Sequence, residues 1–224
     1  MPLTPWQSTV DSATPAWMLD RLQALEDDER LDDAAERLEK VADAVLASPD
    51  VQGALRGRSF GHALHPMLTD FPLGAWMSAS LLDIVGGRSA RGPSRRLIGF
   101  GLLAAMPTAA AGLAEWQATH GAARRVGVVH AGVNGTATVL YGLSWLARRR
   151  GRHAVGAVLG VGGGVVATAG GYLGGHLSLV RNVGTADPAL VSGDFEVSNP
   201  PDRVDGGDGS VVSPLDAAAQ QGTG

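Results

Sequence analysis

The residues of this sequence best suited to chemistry are histidines, together with a few polar residues that lie inside or beside apolar segments. Imidazole nitrogens bind zinc, copper, iron and haem iron, and they exchange protons near neutral pH. The candidate cofactor ligands are His65, His130 and His176, and His62 joins them as a candidate metal ligand. The candidate supporting groups are Asp70, Glu115, Asn134, His120 and Asp83. These residues are far apart in the sequence, so only tertiary structure can bring them together.

Four apolar segments of roughly twenty residues each predict helices long enough to cross a bilayer. They span residues 66–87, 97–116, 126–147 and 154–177. Four such helices in so short a chain would leave no amphipathic shell to cover them in water, which excludes a soluble fold. The short connections make neighbouring helices antiparallel. We therefore expect an all-α protein, an integral membrane four-helix up-down bundle over residues 53–185, in contact with the lipid bilayer.

Antiparallel helices place the start of the first, the end of the second, the start of the third and the end of the fourth on one side. Five of the six histidines, with Asp70, Glu115 and Asn134, should therefore gather at one end of the bundle. His153 should lie at the other end, among arginines. Ionisable groups at membrane depth are costly and usually face the bundle interior with partners.

Two interpretations of this polar end remain open. Histidines from three helices could hold a transition metal, or two of them could ligate haem b from facing helices. Alternatively, the same groups form only hydrogen bonds, with His65-Pro66 starting a helix and Asp70 bonded to His130. Asp83 is expected to pair with Arg88 or a neighbouring arginine.

The flanking regions differ from the apolar middle in composition. Residues 1–52 are strongly acidic and predict a soluble helical extension, in which residues 14–47 form one amphipathic helix starting at Thr14-Pro15. This helix should lie against its own bundle or against a partner. Residues 186–224 are rich in proline, glycine, serine and aspartate and are expected to be disordered.

Charge and composition narrow the location and exclude several classes of site. The arginine-rich loops 88–96 and 148–152 favour a multi-pass protein of the cell membrane with these loops in the cytoplasm and the termini outside. The N-terminal residues do not resemble a cleavable signal peptide. The sequence contains no cysteine, which excludes disulfides and thiolate metal sites. The slightly acidic balance gives no support for nucleic-acid binding.

Several strings resemble one bacterial membrane family, catalogued as domain of unknown function 2231. They are GHALHPMLTDFPLGAW, LLDIVGG, AAAGLAEW, RRVGVVHAGVN and GGYLGGHL, and the resemblance covers about residues 53–185. It implies a four-helix membrane domain without an established activity, in some relatives fused to Rieske or cytochrome domains. This chain departs from the Rieske-fused kind, because its tail has neither cysteine nor histidine. The resemblance also implies which residues of this sequence are motif positions of the family. They are His62, His65, Pro66, Asp70, Pro72, Asp83, Trp116, His130, Asn134 and His176.

The first functional hypothesis is a non-catalytic membrane subunit that binds haem or a transition metal and works beside a membrane redox partner or as a homo-oligomer. The alternative is a structural or assembly protein whose acidic N-terminal helix binds a partner, with histidines that are only hydrogen-bonded. A small transporter is less favoured, because no inverted repeat is evident between the halves. An enzyme has the least support, since no nucleophile and base stand at catalytic spacing.

Overall fold

The structure is a computed structural model that describes residues 15–184, and all regular structure in this range is helical. The all-α prediction is confirmed for these residues. The disordered tail predicted for 186–224, and Thr14 as a helix start, lie outside them. The helices are α1 Ala16–Asp27, α2 Leu31–Val45, α3 Pro49–Leu55, α4 Leu64–Val85, α5 Arg91–Trp116, α6 Gly121–Arg149 and α7 His153–Gly175, which continues as a π-helical turn over His176–Val180.

The four long helices α4–α7 form at the four apolar segments and extend several of them by a few residues. Each packs against the next along the chain, and α4 also packs against α7, so that α4 and α6 lie diagonally opposite. Within residues 15–184, two helices are long and apolar enough to cross a membrane by length and composition, namely 91–116 and 153–180. The predicted start of the first bundle helix is wrong, because α4 begins at Leu64 and His65 already lies within it.

The acidic extension is not the single helix that was predicted for residues 14–47. The chain leaves helical geometry at Asp28, whose carboxylate accepts the backbone N–H of Arg30. The carbonyl of Glu26, at the end of α1, accepts a hydrogen bond from the Arg125 guanidinium of α6. In a continuous helix the carbonyl of Glu26 would accept the N–H of Arg30. Here that N–H bonds to Asp28 and that carbonyl bonds to Arg125, so α1 does not continue into α2.

Helices α1–α3 dock onto one end of the bundle through apolar and ionic contacts. Ala35 and Ala42 of α2, and Leu46 directly after it, are buried with Ala114 and Trp116 of α5. Around this apolar contact, Asp32 binds Arg125, Glu39 binds Arg124 and Glu26 binds Arg181. Three of the acids that could have attracted a separate partner therefore contact this same chain.

The diagonal between α4 and α6 is bridged by one pair of side chains at each of three levels. An edge-to-face histidine pair lies at the end covered by α1–α3, a stacked aromatic pair lies in the middle, and an ion pair lies at the far end. The two residues of every pair are 65 positions apart in the sequence. The pairs are His65–His130, Trp76–Tyr141 and Asp83–Arg148.

This constant offset reveals an internal repeat in which the hairpin α4–α5 corresponds to the hairpin α6–α7. The partners on α5 and α7 are also equivalent: Trp76 packs against Gly101, whereas Tyr141 packs against Gly163 at the matching position. The repeat has direct orientation, because α4 and α6 run in parallel. The sequence search for an inverted repeat could not detect it.

Two prolines lie inside the long helices, and one of them creates a tertiary hydrogen bond. Pro72 of α4 has no N–H to offer the carbonyl of Leu68. The hydroxyl of buried Thr108, on α5, lies 3.1 Å from that carbonyl oxygen and 2.8 Å from the carbonyl oxygen of Ala104. The side chain of Thr108 therefore satisfies the acceptor that the proline leaves free.

Replacement of Thr108 by valine is expected to lower the free energy of unfolding by about 1–2 kcal/mol, because the partly buried carbonyl of Leu68 loses its donor. Thr136→Val is the matched control, since its exposed hydroxyl bonds only within its own helix. Unfolding in mixed detergent micelles, followed by circular dichroism, measures both. Equal losses in the two variants would contradict a special role for Thr108.

Candidate functional site

His65 is held at the start of α4 by contacts with α5. Its backbone N–H is one of the donors that a helix start leaves unpaired, and it bonds to the carboxylate of Glu115 at 3.1 Å. Its Nδ1 lies 2.8 Å from the carbonyl oxygen of Thr108. The ring lies against Gly112, where a Cβ atom would come within 2.9 Å of it. Glycine is therefore needed for the ring to lie this close to α5.

His130, on α6, has the equivalent surroundings in the second hairpin. Its Nδ1 lies 2.9 Å from the carbonyl oxygen of Gly170 on α7, and its ring lies against Gly174, where a Cβ would approach to 3.0 Å. Asn134, one turn further along α6, donates from its amide to the His130 carbonyl at 2.9 Å. The amide nitrogen also lies 3.2 Å from Nε2 of the His130 ring.

The two imidazoles are in edge-to-face contact across the diagonal between α4 and α6. Their ring centroids are 6.1 Å apart and their planes are inclined at 82°. Each ring uses Nδ1 as a donor to a backbone carbonyl, which fixes the tautomer and leaves the lone pair on Nε2. This arrangement is typical of histidines that bind a metal through Nε2.

The other candidate residues are not part of this pair. His62 is exposed and its Nδ1 contacts only the carbonyl of Ala63, while His120 is exposed just before α6. The expected bond between Asp70 and His130 is absent. Asp70 follows His65 by five positions, about 140° around the helix, so it is exposed on the outer side of α4.

His176 is used in a different contact from the one that was predicted. Its Nε2 lies 2.7 Å from a carboxylate oxygen of Glu26 in α1. Among residues 15–184 no group of three or more histidine, aspartate or glutamate side chains is placed to hold a metal ion. Only His65 and His130, of the four predicted metal ligands, are brought together.

Family comparison identifies the part of the chain that contains this pair. A family model described as "Predicted membrane protein (DUF2231)" matches residues 61–187, more than half of the chain. The chain belongs to the DUF2231 family. No curated protein and no solved structure matches it.

The DUF2231 region includes α4–α7 and both histidines, whereas α1–α3 precede it. Family membership makes this a membrane protein by the family's own description. The docked acidic extension lies outside the residues that the family model matches. Among the acids of the extension, the buried one is Glu26.

Glu26 is a buried carboxylate with two basic partners, Arg181 and His176, on the segment after α7. Arg181 binds both of its oxygens and His176 binds one of them. Burial acts to raise the pKa of Glu26, but the hydrogen bonds and charges of Arg181 and His176 outweigh burial and lower that pKa below its ordinary value of 4.5. The carboxylate thus stays ionised and fastens α1 to the end of α7.

Acidification is expected to release α1 from the DUF2231 bundle. A group with a lowered pKa stabilises the docked state above its ordinary pKa, and the contribution is lost as the pH falls from about 4.5 through the lowered value. A spin label on a single cysteine at exposed Ala24, in this cysteine-free chain, should become more mobile over that range.

The variant Glu26→Gln should already be more mobile at neutral pH and should lose most of this pH dependence. Glu36→Gln is the matched control, because Glu36 is exposed on α2 and should behave like the unchanged protein. A docked Glu26→Gln variant with the unchanged pH profile would show that Glu26 does not fasten α1.

The far end of the bundle contains the residue that sequence reasoning missed most clearly. Asp83 does not pair with Arg88. It binds Arg148 of α6 through both oxygens, at 2.8 and 2.5 Å, and the Arg148 side chain is only 1% exposed. Arg148 was assigned to a loop because it begins a run of three arginines. Its spacing of four from Ser144, a small polar residue on the same helix face, is the signal that could have placed it inside.

Proposed function

We propose that this DUF2231 protein is a membrane-embedded haem protein, in which His65 and His130 would hold the iron of one haem b. The helices α4–α7 cross the bilayer as an up-and-down four-helix bundle that holds the haem near one membrane face. The observation that carries the proposal is the equivalence of the two imidazoles, which have matching partners in two copies of one hairpin.

Four membrane crossings are supported by the outer surfaces of all four long helices. α4 and α6 expose large apolar side chains just as α5 and α7 do, although only the latter two meet a simple test of length and hydropathy. The 22 residues of α4 extend about 33 Å, which matches a hydrocarbon core. Examples of these exposed residues are Met77 and Ile84 on α4, Leu103 on α5, Val139 on α6 and Val158 on α7.

The number of available ligands favours haem over a bare metal ion. A zinc-like site takes three or four ligands from the protein, and two imidazoles do not meet that need. Haem iron takes four nitrogens from its porphyrin and requires only two axial ligands. With ring centroids 6.1 Å apart, the two imidazoles are close enough that they would be the residues that hold the iron.

The protein's own residues orient the two ligands in this proposal. The carbonyls of Thr108 and Gly170 hold Nδ1 of each ring, and Gly112 and Gly174 leave room for the rings. Asn134 is the group that must turn aside when Nε2 of His130 binds iron. Haem held by two imidazoles would supply electron transfer, and the proposal therefore includes a redox partner in the same membrane.

The experiment is the absorption spectrum of the full-length protein, purified in mild detergent from haem-replete cells. We expect the bands of a six-coordinate haem, which sharpen on reduction with dithionite, and one haem per chain in the pyridine haemochromogen assay. A colourless protein with intact helical circular dichroism, which also fails to bind added hemin, would refute the proposal.

A further inference from the structure

We propose that the arginine-rich end of the bundle binds the headgroups of anionic phospholipids. This inference rests on the charges at that end and on membrane location, and it does not require haem. It concerns the loop between α4 and α5, the loop between α6 and α7, and the helix ends beside these two loops.

The two loops lie on one face because Arg148 joins all four helix ends there. Its guanidinium binds Asp83 at the end of α4 and Ser94 at the start of α5. It also bonds to Ser144 of its own helix, and the hydroxyl of Ser144 donates to the carbonyl of Gly156 at the start of α7.

Six arginines on this face are exposed, and none of them forms an ion pair with any residue in the range 15–184. The only acid on these loops and helix ends is Asp83, which Arg148 already neutralises. The six are Arg88, Arg91, Arg96, Arg149, Arg150 and Arg152.

At the opposite end of the same bundle, arginines are paired with acids of this chain. There Arg124, Arg125 and Arg181 each have an acid from α1 or α2 as partner. Within residues 15–184, acids of α1 and α2 therefore pair with arginines at one end, whereas the other end has Asp83 alone, which is bound to Arg148. The six exposed arginines at the arginine-rich end are left to pair with negative charge from outside the described residues.

The surroundings of these arginines favour a lipid as the source of that charge. The guanidinium of Arg149 lies 4.8 Å from the ring centre of Trp145, and tryptophan beside arginine at a helix end is typical of the headgroup layer. Exposed apolar side chains continue directly from the arginines along the helices, among them Ile84, Val85 and Val155. A phospholipid can place its phosphate on the guanidinium groups and its acyl chains along this surface.

The test is native mass spectrometry of the full-length protein released from micelles that contain equal amounts of phosphatidylglycerol and phosphatidylcholine. The unchanged protein should retain phosphatidylglycerol in clear preference. The variant Arg149→Gln/Arg150→Gln/Arg152→Gln should lose at least about tenfold of that preference, because each arginine near an anionic surface contributes appreciably. The variant Arg88→Gln/Arg91→Gln/Arg96→Gln tests the other loop in the same way.

The matched control removes the same charge from the extension, as Arg21→Gln/Arg30→Gln/Arg37→Gln, whose three arginines are exposed. This control should retain the full preference. Equal retention of the two lipids by the unchanged protein would overturn the proposal, and so would an equal loss in the control. Displacement of the bound lipid by millimolar inorganic phosphate would also overturn it, since the arginines would then form a site for a soluble anion.

Discussion

Replacement of Arg148 by methionine is expected to lower the free energy of unfolding by about 3–5 kcal/mol, the usual effect of removing one partner from a buried ion pair. The change leaves Asp83 without its cation and removes the contact that joins α4, α5 and α6 at the arginine-rich end. Unfolding in mixed micelles, followed by circular dichroism, measures the loss. Arg150→Met is the matched control, because Arg150 is exposed and should change stability little.

The double variant Arg148→Met/Asp83→Val tests the cause of that loss. It removes both charges, while the hydroxyls of Ser94 and Ser144 keep their bonds to the carbonyls of Ala79 and Gly156. Replacing a whole buried pair by apolar side chains is often neutral, so we expect most of the stability to return. A double variant as unstable as Arg148→Met would mean that packing of the arginine stem against Gly156, rather than an unpaired charge, causes the loss.

Replacement of either His65 or His130 by alanine is expected to reduce bound haem by tenfold or more. Their equivalent positions in the two hairpins predict losses of similar size, because each imidazole supplies one of the two axial bonds in the proposed site. Haem per chain after purification in the presence of added hemin measures the effect. Circular dichroism checks that each variant keeps its helices.

The matched controls are His62→Ala and His120→Ala, which change two exposed histidines near the same end of the bundle. Both should retain haem at the level of the unchanged protein. Retention of haem by His65→Ala and His130→Ala, or loss in the controls, would place the haem elsewhere.

Much of the secondary structure follows from local sequence, because long apolar segments of bilayer length leave few alternatives to helix. The polar end was predicted from topology alone, and of the histidines placed there the structure brings only His65 and His130 into ring contact. The individual pairs of side chains could not be predicted from topology. Asp70 fails to reach His130 because helical rotation turns it outwards, and His176 binds Glu26 of the extension.

Contacts between distant segments account for the remaining errors. The break after α1 depends on Arg125, which is far away in the sequence. The choice of Arg148 rather than Arg88 for Asp83 depends on the diagonal between α4 and α6. The internal repeat escaped notice because equivalent positions hold Trp76 and Tyr141, or Asp83 and Arg148, which correspond in place but not in residue type.

The central claim is that two histidines bind one iron, and electron paramagnetic resonance of the ferric protein at liquid-helium temperature tests it most directly. We predict a low-spin signal from bis-imidazole haem in the unchanged protein, and its loss in either single histidine variant. A protein that contains haem but gives a high-spin signal, or that keeps the low-spin signal without His65 or His130, would contradict the claim.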